Sequence, residues 1–227
     1  MGWLKGHWQL LALMALVAVL WNTPLIWPLK ILVVFFHELA HGIAAVLTGG
    51  EIVLITLTPD QGGTAVTRGG SRFAILSAGY LGSLLFGVIL FLAALRTQAD
   101  RFVVAALSVL LFGVALFYLR DRFALAFALS TGLALLAISK WLGAAVNDLV
   151  LRIIGLTSMI YVPLDIVSDT ITRAHLSSDA RMLAEAYGAT TVFWGLIWLA
   201  VSLMVIGTCL RHTLGANSNI TLDRITR

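Results

Sequence analysis

The chain has 227 residues, of which 60% are hydrophobic and 11% charged, with mean hydropathy +0.98 and net charge +4. A soluble domain is about 45–50% apolar and about 25% charged, so a soluble enzyme, a disordered chain and a collagen-like fibre are excluded and a polytopic helical membrane protein remains. One cysteine, Cys209, excludes an internal disulfide and a cysteine-rich metal site.

Lys5 and His7 precede the apolar run Leu10–Leu20, the core of a first apolar stretch at 8–27, and that run is followed by Trp21-Asn22-Thr23-Pro24 and no small-x-small cleavage site. It reads as a retained first span, not a removed signal peptide. Further apolar runs lie at 29–48, 72–95, 102–119, 123–139, 141–164 and 189–210. Each is near the roughly 20 residues a span needs. The expected fold is an all-α polytopic membrane protein with seven transmembrane helices, or six if one run does not cross. Arg152 lies inside the sixth run and is expected to divide it or to mark an interfacial helix. Residues 49–70 are not a span. Ile52 to Thr58 is β-branched and strand-like, Pro59-Asp60-Gln61-Gly62-Gly63 is turn chemistry, and Thr64 to Thr67 is a second short strand. A β-hairpin is expected there, after a helix end capped by Gly49-Gly50. Ala78 with Gly82, and Ser83 with Gly87, are small-xxx-small pairs suited to close helix packing. Residues 1–214 form one expected domain, and the polar tail 215–227 is expected to fray. His7, His175 and His212 are expected in solvated loops or tails. The basic balance suits residues flanking spans in a lipid bilayer, and no nucleic-acid partner is expected.

The second run contains Phe36-His37-Glu38-Leu39-Ala40-His41-Gly42. On a helix His37 and His41 share one face. Two neutral imidazoles at that spacing can bind one zinc ion, and Glu38 beside them suits a general base acting on a water at the metal. A third ligand is required, with the fourth position left open. The motif lies about nine residues, or ~13 Å, into an apolar run. Three ionisable groups at that depth cost several kcal/mol unless they pair or ligate. The competing reading is a polar cluster that ties helices together.

This motif, followed by Leu47-Thr48-Gly49-Gly50, resembles the site-2 protease family of intramembrane zinc metalloproteases, and more closely its small peptidase M50B-like branch. The resemblance continues through Leu57-Thr58-Pro59, Ser77-Ala78-Gly79-Tyr80-Leu81-Gly82-Ser83, residues 161–169, Ser178-Asp179-Ala180 and Trp194 to Trp198. It implies proteolysis within the membrane and one zinc per chain. In the wider family the third ligand is an aspartate on a later helix, usually in a motif with Asp-Gly. This chain has no Asp-Gly. The nearest analogue, Tyr161 to Asp169, offers Asp165 and Asp169 at i, i+4. Asp165 is the expected third ligand because it follows an apolar run and Pro163. Asp169, Asp179 and Asp148 are alternatives, with Asp179 reading first as a helix cap after Ser177-Ser178.

A helical substrate hides its carbonyls and must unwind before cleavage. The hairpin offers an edge for an unwound segment by β-augmentation, with Thr56, Gly62, Gly63 and Val66 as expected substrate contacts. The substrate would be a transmembrane protein or peptide, and the location a bacterial cytoplasmic membrane. A non-catalytic scaffold or chaperone, and a small transporter, are the other classes. The intact His37, Glu38 and His41 argue against the first. The absence of two similar halves argues against the second.

Overall fold

A computed structural model describes residues 2–174 and 176–220, with side chains from Leu4 onward. His175, residues 221–227 of the tail and the Trp3 side chain lie outside the described residues. The elements are α1 (Gly2–Leu20), α2 (Trp27–Leu47), β1 (Glu51–Leu57), β2 (Gly63–Arg68), α3 (Arg72–Arg96), α4 (Asp100–Phe117), α5 (Arg122–Trp141), α6 (Ala144–Val167), a π-helical turn (Ser168–Thr172), α7 (Asp179–Tyr187) and α8 (Thr191–Thr213). Among the described residues, six helices are long and apolar enough to cross a membrane: α2, α3, α4, α5, α6 with its π-turn, and α8. The described apolar part of α1, Leu4–Leu20, is shorter than these. The chain is an integral multi-pass membrane protein with one two-stranded antiparallel hairpin.

α3 is the central element, because small residues let two neighbours approach it. Gly82 faces α2, where a β-carbon would stand 2.3 Å from Ala40 Cβ. Gly87 faces α6, where it would meet Ser158 Cβ at 2.4 Å, and Ser158 Oγ donates to Ser83 O at 2.7 Å. The two small pairs of α3 therefore serve different neighbours. Pro28 sits in the first turn of α2, where its missing N–H costs nothing. The helix ends at Gly49, whose φ of 87° is a left-handed stop.

The division expected at Arg152 does not occur. α6 runs unbroken through it. Its guanidinium forks onto both carboxylate oxygens of Asp148 one turn earlier, and its Nη1 donates to Ser218 O. That buried pair, with side chains 2% and 0% exposed, satisfies its own charge inside the bundle. Ser218 belongs to the tail, which folds back onto α1 rather than fraying as far as Ile220. Ser218 Oγ lies 2.8 Å from His7 Nδ1, Asn219 Nδ2 donates to Lys5 O at 2.7 Å, and Ile220 N donates to Gln9 Oε1 at 2.6 Å. His7 is consequently buried, not solvated.

Thr58 N donates to Gly62 O at 2.8 Å, which closes the hairpin turn and fixes its parity. The register pairs Leu57 with Gly63, Thr56 with Thr64, Ile55 with Ala65 and Leu54 with Val66. Hydrogen-bonding direction alternates along antiparallel strands. The backbone groups of Thr64 and Val66 therefore face β1, and those of Gly63, Ala65 and Thr67 face outward. On the other strand, the outward N–H groups of Ile55 and Leu57 are taken. They donate to Tyr118 O at 2.9 Å and Asp121 Oδ2 at 3.4 Å, at the α4–α5 junction. Trp27 Nε1 pins the turn through Pro59 O at 2.8 Å. The hairpin is held on one edge and at its tip, and open along β2.

Candidate metal centre

His37 is the midpoint of α2, about 15 Å from either end at 1.5 Å per residue. His41 follows one turn later, and the two rings meet edge to face with centroids 4.7 Å apart. His41 Nδ1 lies 2.7 Å from Ile75 O. A carbonyl only accepts, so Nδ1 carries the proton and the neutral ring presents a lone pair at Nε2.

The third group is Asp179, the first residue of α7, behind the N-cap Ser178. Its Oδ2 is 2.9 Å from His37 Nε2 and 3.3 Å from His41 Nε2. That oxygen is fully buried and has no properly directed hydrogen-bond donor. Asp179 Oδ2 and His41 Nε2 thus face each other as two acceptors with no proton to share, and His37 Nε2 converges on the same point. Ligands on a tetrahedral zinc at 2.0–2.1 Å stand about 3.3 Å apart, so the spacing fits a cation. His37, His41 and Asp179 form a group able to hold a metal ion.

Asp165, expected as the third ligand, is not in this group. Asp165 and Asp169 do share a face, as their spacing implies, but Arg173 claims it. Arg173 Nη2 lies 2.9 Å from Asp165 Oδ1 and 2.8 Å from Asp169 Oδ1. Tyr80 OH donates to Asp169 Oδ2 at 2.7 Å, and the Tyr80 ring stands edge-on to His37. The π-turn, whose bonds span one residue more than an α-turn, carries Asp169 and delivers Arg173 at its end. Asp148 is spent on Arg152 at the far end of α6. Asp179 caps nothing itself, since Ser178 does so with Oγ on Arg181 N at 3.3 Å. The serine frees the aspartate to point at the histidines.

Glu38 is buried beside His37, and its side chain meets β2. A β-carbon at Gly63 would stand 2.7 Å from Glu38 Cγ and Oε1. Below the cluster is Gly79 of α3, where a β-carbon would stand 2.4 Å from His37 Nε2 and 2.5 Å from Asp179 Oδ2. Gly79 was visible in the sequence only as part of a small-residue stretch. Its role at the metal cluster needs the α2–α3 approach to appear. A cavity of about 630 Å3 opens over Glu38 and both histidines, walled by Asp179, Asp165, Arg173 and Tyr161. The hairpin contributes residues 61–65 and Thr67 to it. Of the four expected substrate contacts, Gly62 and Gly63 line the cavity and Thr56 and Val66 do not.

The fold and site define a polytopic membrane protein with a buried two-histidine, one-aspartate centre beside a glutamate. A family model described as Peptidase M50B-like matches residues 10–209, and the chain belongs to that family. No curated protein and no solved structure matches the chain.

Proposed function

We propose that the protein is a zinc endopeptidase that cleaves membrane-embedded polypeptides, in a bacterial cytoplasmic membrane. The observation that carries this reading is the convergence of His37 Nε2, His41 Nε2 and Asp179 Oδ2 beside Glu38, in a cavity bordered by an open strand edge. His37, His41 and Asp179 hold one zinc per chain. The metal, when bound, supplies Lewis-acid chemistry to a water and to the peptide carbonyl. The His41 Nδ1–H bond to Ile75 O keeps that ring in the ligating tautomer. An unwound substrate segment pairs with the outward edge of β2, which sets its carbonyl over the cavity. Glu38 takes a proton from water as the new C–O bond forms. It returns that proton to the amide nitrogen as the C–N bond breaks. One water is consumed for each bond cut, and Glu38 is regenerated.

The test is cleavage of a labelled single-span peptide co-reconstituted in liposomes, followed by mass spectrometry. Wild type should cut it. Glu38→Gln and the chelated protein should not, and zinc should restore the chelated sample. Equal cleavage by Glu38→Gln would assign the activity to a contaminant and reject the reading.

A further inference from the structure

The outward edge of β2 carries three backbone donors, at Gly63, Ala65 and Thr67, and they are not equivalent. The outward N–H of Ala65 opens onto the cavity that Glu38 lines. Two residues earlier Gly63 packs its α-carbon on the same side chain, at a distance that leaves no room for a β-carbon. Thr67 continues the edge roughly 6.6 Å beyond Ala65. The opposite strand is fixed to the end of α4 through Ile55 and Tyr118, and the turn to Trp27. The hairpin is therefore not free to follow Glu38, and Glu38 must take its position from the hairpin. Glu38 is buried, 6% exposed. A buried carboxylate needs a donor, and a backbone amide on a pinned strand supplies one with no rotamer freedom.

We propose that Ala65 is a positioning residue: its backbone N–H holds one oxygen of Glu38 and leaves the other facing the metal cluster, while Gly63 keeps the space that this pose requires. A substrate strand on this edge then draws its donors from Gly63 and Thr67, and Ala65 offers only its carbonyl. The kinetic consequence rests on the peptidase reading. The structural one does not.

The structural arm is amide hydrogen exchange by NMR on micelle-solubilised protein labelled with 15N, comparing wild type, Glu38→Gln and Glu38→Ala. The Ala65 amide should exchange about tenfold more slowly in wild type and Glu38→Gln, which both keep an acceptor, than in Glu38→Ala. The Thr64 and Val66 amides, bonded within the hairpin, should be alike in all three and report that it is folded. Equal exchange of Ala65 in wild type and Glu38→Ala overturns the proposal. The kinetic arm uses the reconstituted single-span peptide. Proline is tolerated at outward edge positions because no ladder bond is lost. Ala65→Pro should lower kcat about 100-fold with KM within about twofold, as a displaced catalytic group does. Thr67→Pro should chiefly raise KM. Ala65→Pro behaving like Thr67→Pro also overturns it. If Ala65 exchange depends on Glu38 but wild type cuts nothing, the peptidase reading fails and the positioning stands. If wild type cuts and Ala65 exchange ignores Glu38, the reverse holds.

Discussion

Gly79→Ala is the sharpest single test of the metal centre, because it alters no ligand. The added β-carbon would lie 2.4 Å from His37 Nε2 and 2.5 Å from Asp179 Oδ2, against 3.4 Å for ordinary contact. The deficit is 3.4 − 2.4 = 1.0 Å for the nitrogen and 3.4 − 2.5 = 0.9 Å for the oxygen. Metal–ligand distances tolerate about 0.2 Å, so both groups must leave ligating positions. Changes in groups that merely orient ligands already cost about 10–100-fold in affinity. Displacing two ligands should cost about 100-fold or more, or ~2.7 kcal/mol. The helix itself gains, since Ala is better than Gly in a helix interior by about 0.5–1 kcal/mol. Zinc affinity by chelator competition should therefore fall while the melting temperature of the metal-free protein holds. Gly113→Ala is the control, as its β-carbon meets nothing within 4 Å. Gly82→Ala is the second, pressing on Ala40 but on no ligand. It should lower the melting temperature with little change in zinc affinity. Zinc affinity of Gly79→Ala within about threefold of wild type would refute the geometry of the cluster, since a void at Gly79 would then have to exist.

Two further predictions concern the rest of the molecule. Breaking the Asp148–Arg152 pair with Asp148→Leu or Arg152→Met alone should cost about 3–5 kcal/mol in detergent unfolding, whereas the double variant should return close to wild type. A double variant as unstable as the sum of the singles would show that the pair does more than neutralise itself. Removing bound metal with a chelator, or making Asp179→Ala, should speed amide exchange in α7 while α2 stays protected, because Asp179 ties that short helix to the histidines. Asp165→Ala should leave both the zinc content and α7 unchanged. Loss of zinc in that variant would return the third ligand to Asp165.

The spans, the hairpin and the pair of histidines were legible because each is a local pattern. Apolar runs mark helices that lipid requires, β-branched residues around a Pro-Asp-Gln-Gly-Gly turn mark the hairpin, and i, i+4 spacing puts His37 and His41 on one face. The third member of the cluster was not legible, because it is brought to the histidines by tertiary approach. Asp165 and Asp179 are both aspartates beyond an apolar run, and sequence depth favoured the first. What decides between them is Arg173, which lies eight residues after Asp165 and folds back on it through the π-turn. A basic residue within two turns of a paired carboxylate was the available signal, and it argued for a satisfied ion pair instead of a ligand. The Ser178 cap was a signal too. With the serine already capping α7, Asp179 had no local duty left.

The same division explains Arg152 and the hairpin contacts. A charged residue in an apolar run reads as an interruption unless its partner is counted, and Asp148 stood at i−4 throughout. For the hairpin, Thr56 and Val66 were named as edge contacts, but pairing at a strand edge would use backbone groups, and which of them face outward is set by the register. The turn bond from Thr58 to Gly62 fixes that phase, and the covered edge of β1 then leaves only Gly63, Ala65 and Thr67. We assign one of those three, Ala65, to Glu38, which packs on the same strand at Gly63. The strand that would hold the substrate and the base that would activate water are thus joined through a single backbone amide. A shift of β2 against α2 cannot change one without changing the other.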